Sequence, residues 1–218
     1  MEVIQPYARL VDVLTENDGV RLLKKIEWCA RISHRSEEAQ TDVSYDRFLR
    51  AVVLQKGDWS VVEHASATVD AVVDRGVTHE WVRHRIGAYT QESTRFINYE
   101  KKMVPTFVMP PGLALQAMDE WREAIEQAER SYKAMLAHGC APQIARSVLP
   151  NSLSSRLVAT YNLRNWRHFF LMRTTRETHP QFREVTIPLL KEFQTRIPLL
   201  YDDIEPLATQ ADNVRKAR

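Results

Sequence analysis

The sequence predicts an α+β fold in which helix outweighs strand, and three stretches carry that expectation. Met118, Trp121, Ile125, Ala128, Tyr132 and Met135 alternate at three- and four-residue spacing between Pro111 and Gly139, the apolar stripe of one long, half-buried helix. Residues 67–74, ATVDAVVD, are short, rich in valine and closed by Arg75-Gly76, which suits a strand turning into a new element. After Pro150, SLSSRLVATYNL resembles a second strand, and helical patterns follow it.

The remaining elements follow in chain order. Asn17 or Asp18 is placed to cap a helix with Val20, Leu23, Ile26 and Cys29 or Ala30 on one face, and Ser44 to cap another running through Phe48, Val52 and Leu54. From Val77 to Arg85 the pattern is helical, with Val77, Trp81 and Val82 available for packing and Gly87 as the stop. AYTQESTRFINY then reads as extended chain forming a strand at its end. Pro142 opens a short helix holding Ile144 and Arg146, stopped near Pro150. Helices are expected from Arg164 to about Arg173 and from about Pro180 to Arg196, the latter interrupted at Pro188. No repeat, low-complexity tract or Gly/Ser linker divides the chain, so residues 1–218 are expected to form one domain.

Composition narrows the function. A net charge of +2 argues against a protein that coats a polyanion. Of 30 basic residues 8 are lysine, leaving 22 arginines, the side chain suited to bidentate contact with carboxylates and phosphates. With six glycines and neither GxGxxG nor GxxxxGK[ST], any nucleotide must be held by side chains and helix termini. The chain has no run of about 18 apolar residues, and its first residues lack the regions of a signal peptide, so a cytoplasmic location without membrane contact is expected. Cys29 and Cys140 form no CxxC pair and are expected to be buried thiols without disulfide or zinc. His79 and His84 are five residues apart, off a common helical face, and no metal site is expected.

The densest chemistry lies between Thr78 and Arg95, THEWVRHRIGAYTQESTR. Arg83 and Arg85 flank His84, and Ser93 and Arg95 follow, a concentrated anion-binding array. Ser93 and His84 do not make a hydrolase pair on this reading, because no GxSxG surrounds the serine.

RHR followed by seven residues, a serine and then Arg95 is a composite pattern, and it resembles the signature of the flavin-dependent thymidylate synthases. The resemblance extends through ARIS at 30–33, WSVVEH at 59–64, ARSVLP at 145–150, NLR at 162–164 and FFLMR at 169–173. It implies a central, largely antiparallel sheet flanked by helices. It also implies methylation of dUMP to dTMP, with FAD as cofactor, methylenetetrahydrofolate as carbon donor and NADPH as reductant. By resemblance, Arg83, His84, Arg85 and Ile86 hold FAD, with Ser33, Ser60, Glu63, Gln91, Asn162, Arg164 and His168 at further flavin positions. Glu80, Gln91, Ser93, Thr94, Arg95, Arg146 and Arg173 fall at dUMP positions, and Arg173 is the expected catalytic group, stabilising charge on the uracil. The resemblance further implies a homotetramer with sites built from more than one subunit, and no nucleic-acid partner.

Five positions depart from the family's pattern. Ala88 and Thr90 stand where many members have serine and asparagine, Gln91 where some have glutamate, Glu80 where some have glutamine, and His168 where some have asparagine. Two other readings accompany the leading one: hydroxymethylation of a pyrimidine nucleotide on the same scaffold, and a non-catalytic single-strand-binding module using Tyr89, Phe96 and Tyr99 as stacking surfaces.

Overall fold

The computed structural model describes residues 1–97, 99 and 104–206. In chain order the elements are β1 (Glu2–Ile4), β2 (Tyr7–Leu10), α1 (Glu16–Ile32), α2 (Ser44–Leu49), β3 (Ser66–Asp74), α3 (Arg75–Trp81), β4 (Ala88–Gln91), β5 (Thr106–Val108), α4 (Met118–Ala137), α5 (Pro142–Ala145), β6 (Ser154–Asn162), α6 (Leu163–Arg173) and α7 (Pro180–Arg196). The mixed, helix-rich class agrees with the sequence. Four strands form a sheet in the order β2-β3-β6-β4, and β1 pairs with β5 in parallel. Leu163 donates its amide to the Ala65 carbonyl, the Thr68 and Thr160 hydroxyls meet, and Arg75 donates its amide to Leu153. One strand ascends as the other descends, so β3 and β6 are antiparallel. β1, β2 and β5 are three or four residues each, too short to show an alternation in sequence.

The chain forms two compact units. One comprises Met1–Tyr7, Ala71–Arg83 and Thr90–Leu157; the other comprises Ala8–Asp70, His84–Tyr89 and the described residues from Val158 on. The backbone passes between them five times, within β3, β4 and β6 among other places.

In the first unit, Ile125 and Tyr132 of α4 pack with Phe107, Tyr99, Ala145 and Leu153, and Trp121 and Met135 flank them. The stripe expected of the long helix is therefore its core face. In the second unit the core is aromatic. Trp166, Phe169 and Phe170 of α6 meet Phe182 and Phe193 of α7, with ring centroids 4.9–5.9 Å apart. The buried Trp166 indole donates to the Ala67 carbonyl at 2.8 Å, satisfying its one polar atom. Helix α1 lies close to α7: a β-carbon added to Gly19 would stand 1.7 Å from the Arg196 carbonyl oxygen.

Several local expectations need correction. The cap of α1 is Thr15, not Asn17 or Asp18; Thr15 and Asp18 form a reciprocal capping box. Ser44 begins α2 instead of capping it, and its hydroxyl donates to the buried Glu27 carboxylate at 2.7 Å. The helix stops at Leu49 and widens into a π-helical turn, Arg50–Gln55. Pro188 does not interrupt α7. Its missing amide costs one helical hydrogen bond, offset by burial of Val185, Leu189, Leu190 and Phe193 around it. In the segment from Ala88, the strand lies at the start, where Glu92 continues the pairing by donating to Arg156. Phe96 and Ile97 both donate back to the Ser93 carbonyl, which closes a turn where a strand was expected, and Asn98 lies outside the described residues. Cys29 and Cys140 are half-buried thiols, not the buried ones expected.

Candidate functional site

Helix α3 opens on Asp74, whose carboxylate accepts from the Val77 amide at 2.7 Å, and ends at Trp81, earlier than the sequence suggests. The Arg83 amide bonds to the Glu80 carbonyl in a tighter turn. The next carbonyls are then claimed by side chains. Tyr89 donates its hydroxyl to the His84 carbonyl, and the Asn165 carboxamide donates to the Ile86 carbonyl at 2.6 Å. Arg83, His84 and Arg85 therefore lie on a turn, not on a helix. Gly87 is not a helix stop but a point of close approach: a β-carbon there would stand 2.2 Å from the Tyr161 ring.

This turn holds His84 half-buried, edge-on to Phe169 at 4.9 Å. Arg173, the last residue of α6, donates from Nε to His84 Nε2 at 2.7 Å. Burial first, then the charges of Arg173 and His168, pushes the imidazole from 6.5 down to about 4. The ring is neutral near pH 7, with Nε2 as acceptor and the proton on Nδ1. Arg173 also lies over the Phe182 ring at 5.1 Å, and its carbonyl accepts from Thr186.

Beside the turn is a hollow of about 170 Å³ lined by His84, Arg85, Ile86, Tyr161, Asn165 and His168. That volume includes space open to solvent, so the hollow is a shallow recess at the surface and not an enclosed pocket. Arg83 and Arg85 are exposed, and Ile86 is 85% exposed. Asn162 caps α6 by accepting the Asn165 amide at 2.8 Å. Arg164 pairs with Glu63 at 2.5 Å, joining α6 to the short turn Trp59–His64 that carries Ser60. Ser60 is exposed. Ser33, at the end of α1, is exposed and donates its hydroxyl to the Ala30 carbonyl.

The other unit gathers a second set. Gln91 donates to the hydroxyls of Thr78 and Ser155 at 3.0 and 3.2 Å, and Arg146 donates to the buried Thr94 hydroxyl at 2.9 Å. Ser93 accepts from the Arg95 amide at 3.4 Å, and the exposed Arg95 guanidinium sits 5.5 Å from the Phe96 ring. Glu80 is half-buried on α3. Gln91, expected to serve two ligands, is thus committed to hydrogen bonds inside its own unit.

The family model for thymidylate synthase complementing protein matches residues 15–199, a span containing every residue of both sets. The chain belongs to this family. Relatives named flavin-dependent thymidylate synthase include one from Pyrococcus abyssi, 33% identical over 86% of this chain and 80% of the relative, and one from Mycobacteroides abscessus, 34% identical over 95% and 88%. Among solved structures, the UMP/dUMP methylase PolB from Streptomyces cacaoi, bound with 5-Br dUMP, superposes with a TM-score of 0.75 at 24% identity. It covers 96% of this chain and 97% of its own. That likeness shows that the two chains share a fold. The motifs of this flavin-dependent thymidylate synthase family member do not mark Tyr161 or Asn165, and they offer Tyr89 only as a stacking surface. Asn165 had a signal, since it stands three residues after Asn162 at the spacing of a helix cap. The two tyrosines lie in separate strands, and their meeting is not visible in sequence.

Proposed function

We propose that the chain catalyses the flavin-dependent reductive methylation of dUMP to dTMP, with FAD as the flavin, methylenetetrahydrofolate as carbon donor and NADPH as reductant. The observation that carries this reading is the bond from Arg173 to a neutral His84, which joins the arginine-rich turn to the residue expected to act on the pyrimidine.

The residues present fit a flavin dinucleotide. Asn165, Tyr161 and His84 give the hollow both flat rings and hydrogen-bonding groups, and Arg83 and Arg85 present exposed guanidiniums suited to a diphosphate. Arg83, His84, Arg85, Ile86, Asn162, Arg164 and His168 would hold it, with Ser33, Ser60 and Glu63 at its periphery. When bound, the flavin supplies the redox chemistry that the side chains lack.

Ser93, Thr94, Arg95 and Arg146 would hold dUMP, the guanidiniums neutralising its phosphate, with Glu80 and Gln91 shaping the wall. The Arg173 guanidinium stabilises negative charge on a uracil carbonyl as C5 becomes nucleophilic, without a proton transfer. His84, neutral, accepts from Arg173 and leaves its positive charge undiminished; an imidazolium there would repel it. Because the hollow on one chain is shallow, we place the complete site in a homotetramer in which copies share ligands. The five crossings between units support one domain over the whole chain. Soluble nucleotide, folate and nicotinamide substrates suit a cytoplasmic enzyme.

The test is tritium release from 5-labelled dUMP by FAD-loaded protein, which should require both NADPH and methylenetetrahydrofolate and yield a product with the mass of dTMP. Protein that takes up no FAD overturns the reading. Arg95→Ala should weaken dUMP about 10- to 100-fold, the range of a lost charge-assisted contact, and leave FAD affinity unchanged.

A further inference from the structure

The turn that carries Arg83, His84 and Arg85 is held by a pair of phenols, Tyr89 within the Thr78–Arg95 segment and Tyr161 just before the NLR stretch. Tyr89, on β4, donates its hydroxyl to the His84 carbonyl, and the Tyr89 and Tyr161 hydroxyls meet at 2.5 Å. A phenol has one proton. Since that of Tyr89 is committed to His84, Tyr161 donates to Tyr89. The order is fixed: Tyr161 to Tyr89 to the His84 backbone, while the His84 ring receives Arg173 on its other side. The two phenol rings meet edge to face at 5.7 Å, and the buried Tyr161 ring leans on Trp166 at 4.4 Å and Phe169 at 6.0 Å. Its Cδ1 and Cε1 atoms occupy the space where Gly87 lacks a β-carbon. Burial holds the Tyr89 phenol above its ordinary range, so it remains a donor at neutral pH.

Resting on the flavin reading above, we propose that Tyr161 and Tyr89 are positioning residues, a two-hydroxyl relay that fixes the Arg83–Gly87 turn for the flavin and, through His84, sets the guanidinium of Arg173. Neither phenol acts on substrate. Tyr89 works on His84 directly; the Tyr161 ring lines the hollow, and its hydroxyl works by orienting Tyr89. Without the relay the His84 carbonyl returns to water, the turn loses its fixed geometry, and the imidazole no longer meets Arg173 at one angle.

The arrangement predicts a pattern that a packing role does not. Tyr→Phe removes one oxygen and keeps each ring. In the full-length protein, Tyr89→Phe should raise the Kd for FAD, read by flavin fluorescence, about 5- to 10-fold, the range of one lost buried hydrogen bond. Tyr161→Phe should raise it about 2- to 5-fold, and the double variant should match Tyr89→Phe alone, because the second hydroxyl has nothing left to orient. A second readout needs no flavin: the Arg173 Nε–H resonance, identified by its loss in Arg173→Lys, should exchange faster with water in Tyr89→Phe. Additive losses in the double variant, or folded variants with unchanged FAD affinity and unchanged Arg173 exchange, overturn the proposal. If wild type binds no FAD, the proposed function falls and the exchange readout alone decides for or against the relay. Should Tyr89→Phe not fold, the same two readouts on Tyr161→Phe decide.

Discussion

Titration of His84 offers a direct measure of the site's electrostatics. Its imidazole is held at about 4, against an ordinary 6.5, first by burial and then by Arg173 and His168. The direction of the stability change follows. Because the folded value is depressed, the unfolded chain takes up the proton first as pH falls below 6.5, so stability is fully present above 6.5 and drains away down to about 4. Full expression of that gap corresponds to about 3 kcal/mol, and because the ring is half open to solvent, screening leaves ~1–2 kcal/mol. The assay is NMR of ¹³C-labelled histidine, with His84 identified among seven histidines by its loss in His84→Asn, alongside urea unfolding at pH 7 and pH 4.5. The stability lost between these pH values should be smaller in His84→Asn than in wild type by ~1–2 kcal/mol. In Arg173→Gln the His84 value should rise without reaching the ordinary one, since burial, the larger cause, remains. A wild-type His84 that titrates near 6.5, or one indifferent to Arg173→Gln, would refute the reasoning.

Three further outcomes are expected. Gly19→Ala improves helix propensity by about 1 kcal/mol, yet its β-carbon would lie 1.7 Å from one backbone atom and 2.7 Å from another; α1 must shift, and a net loss of about 2–4 kcal/mol should lower Tm by about 5–15 °C in calorimetry. Gly139→Ala meets nothing within 4 Å but stands at φ +83°, and should cost only about 1–2 kcal/mol by urea denaturation. Glu27→Ala leaves Arg31, 12% exposed, without the carboxylate now 2.8 Å away and removes one of the two acceptors within reach of Ser44; urea denaturation should show a loss of about 3–5 kcal/mol, and a loss below 1 kcal/mol would mean that the network is dispensable.

What could be read from sequence divides along physical lines. The α4 stripe and the β3 and β6 segments were legible because one-sided burial imprints a period on the residues. Pro188 misled because local propensity was outweighed by apolar packing on both sides of it. The RHR segment reads as an anion-binding array, but the sequence misleads about its shape: helical periodicity continues past Trp81, whereas the backbone is claimed there by Tyr89 and Asn165. Asn165 comes from 79 residues away, beyond the reach of any local pattern, and Tyr89, only 5 residues on, carries no mark in the sequence that it turns back to His84. Gly87 shows the same limit. Its identity is explained by Tyr161, not by its neighbours in the chain.

The five passages between units bear on how the molecule can be made and altered. Neither unit exists as a continuous stretch: the first is incomplete until Leu157 has been synthesised, and the second also needs residues on both sides of that point. During translation, therefore, no early half can finish and wait for the other, and long stretches must stay unpaired until the strand Ser154–Asn162 emerges. No single cut in the gene releases a self-sufficient piece, so recombination can carry this scaffold into another protein only entire.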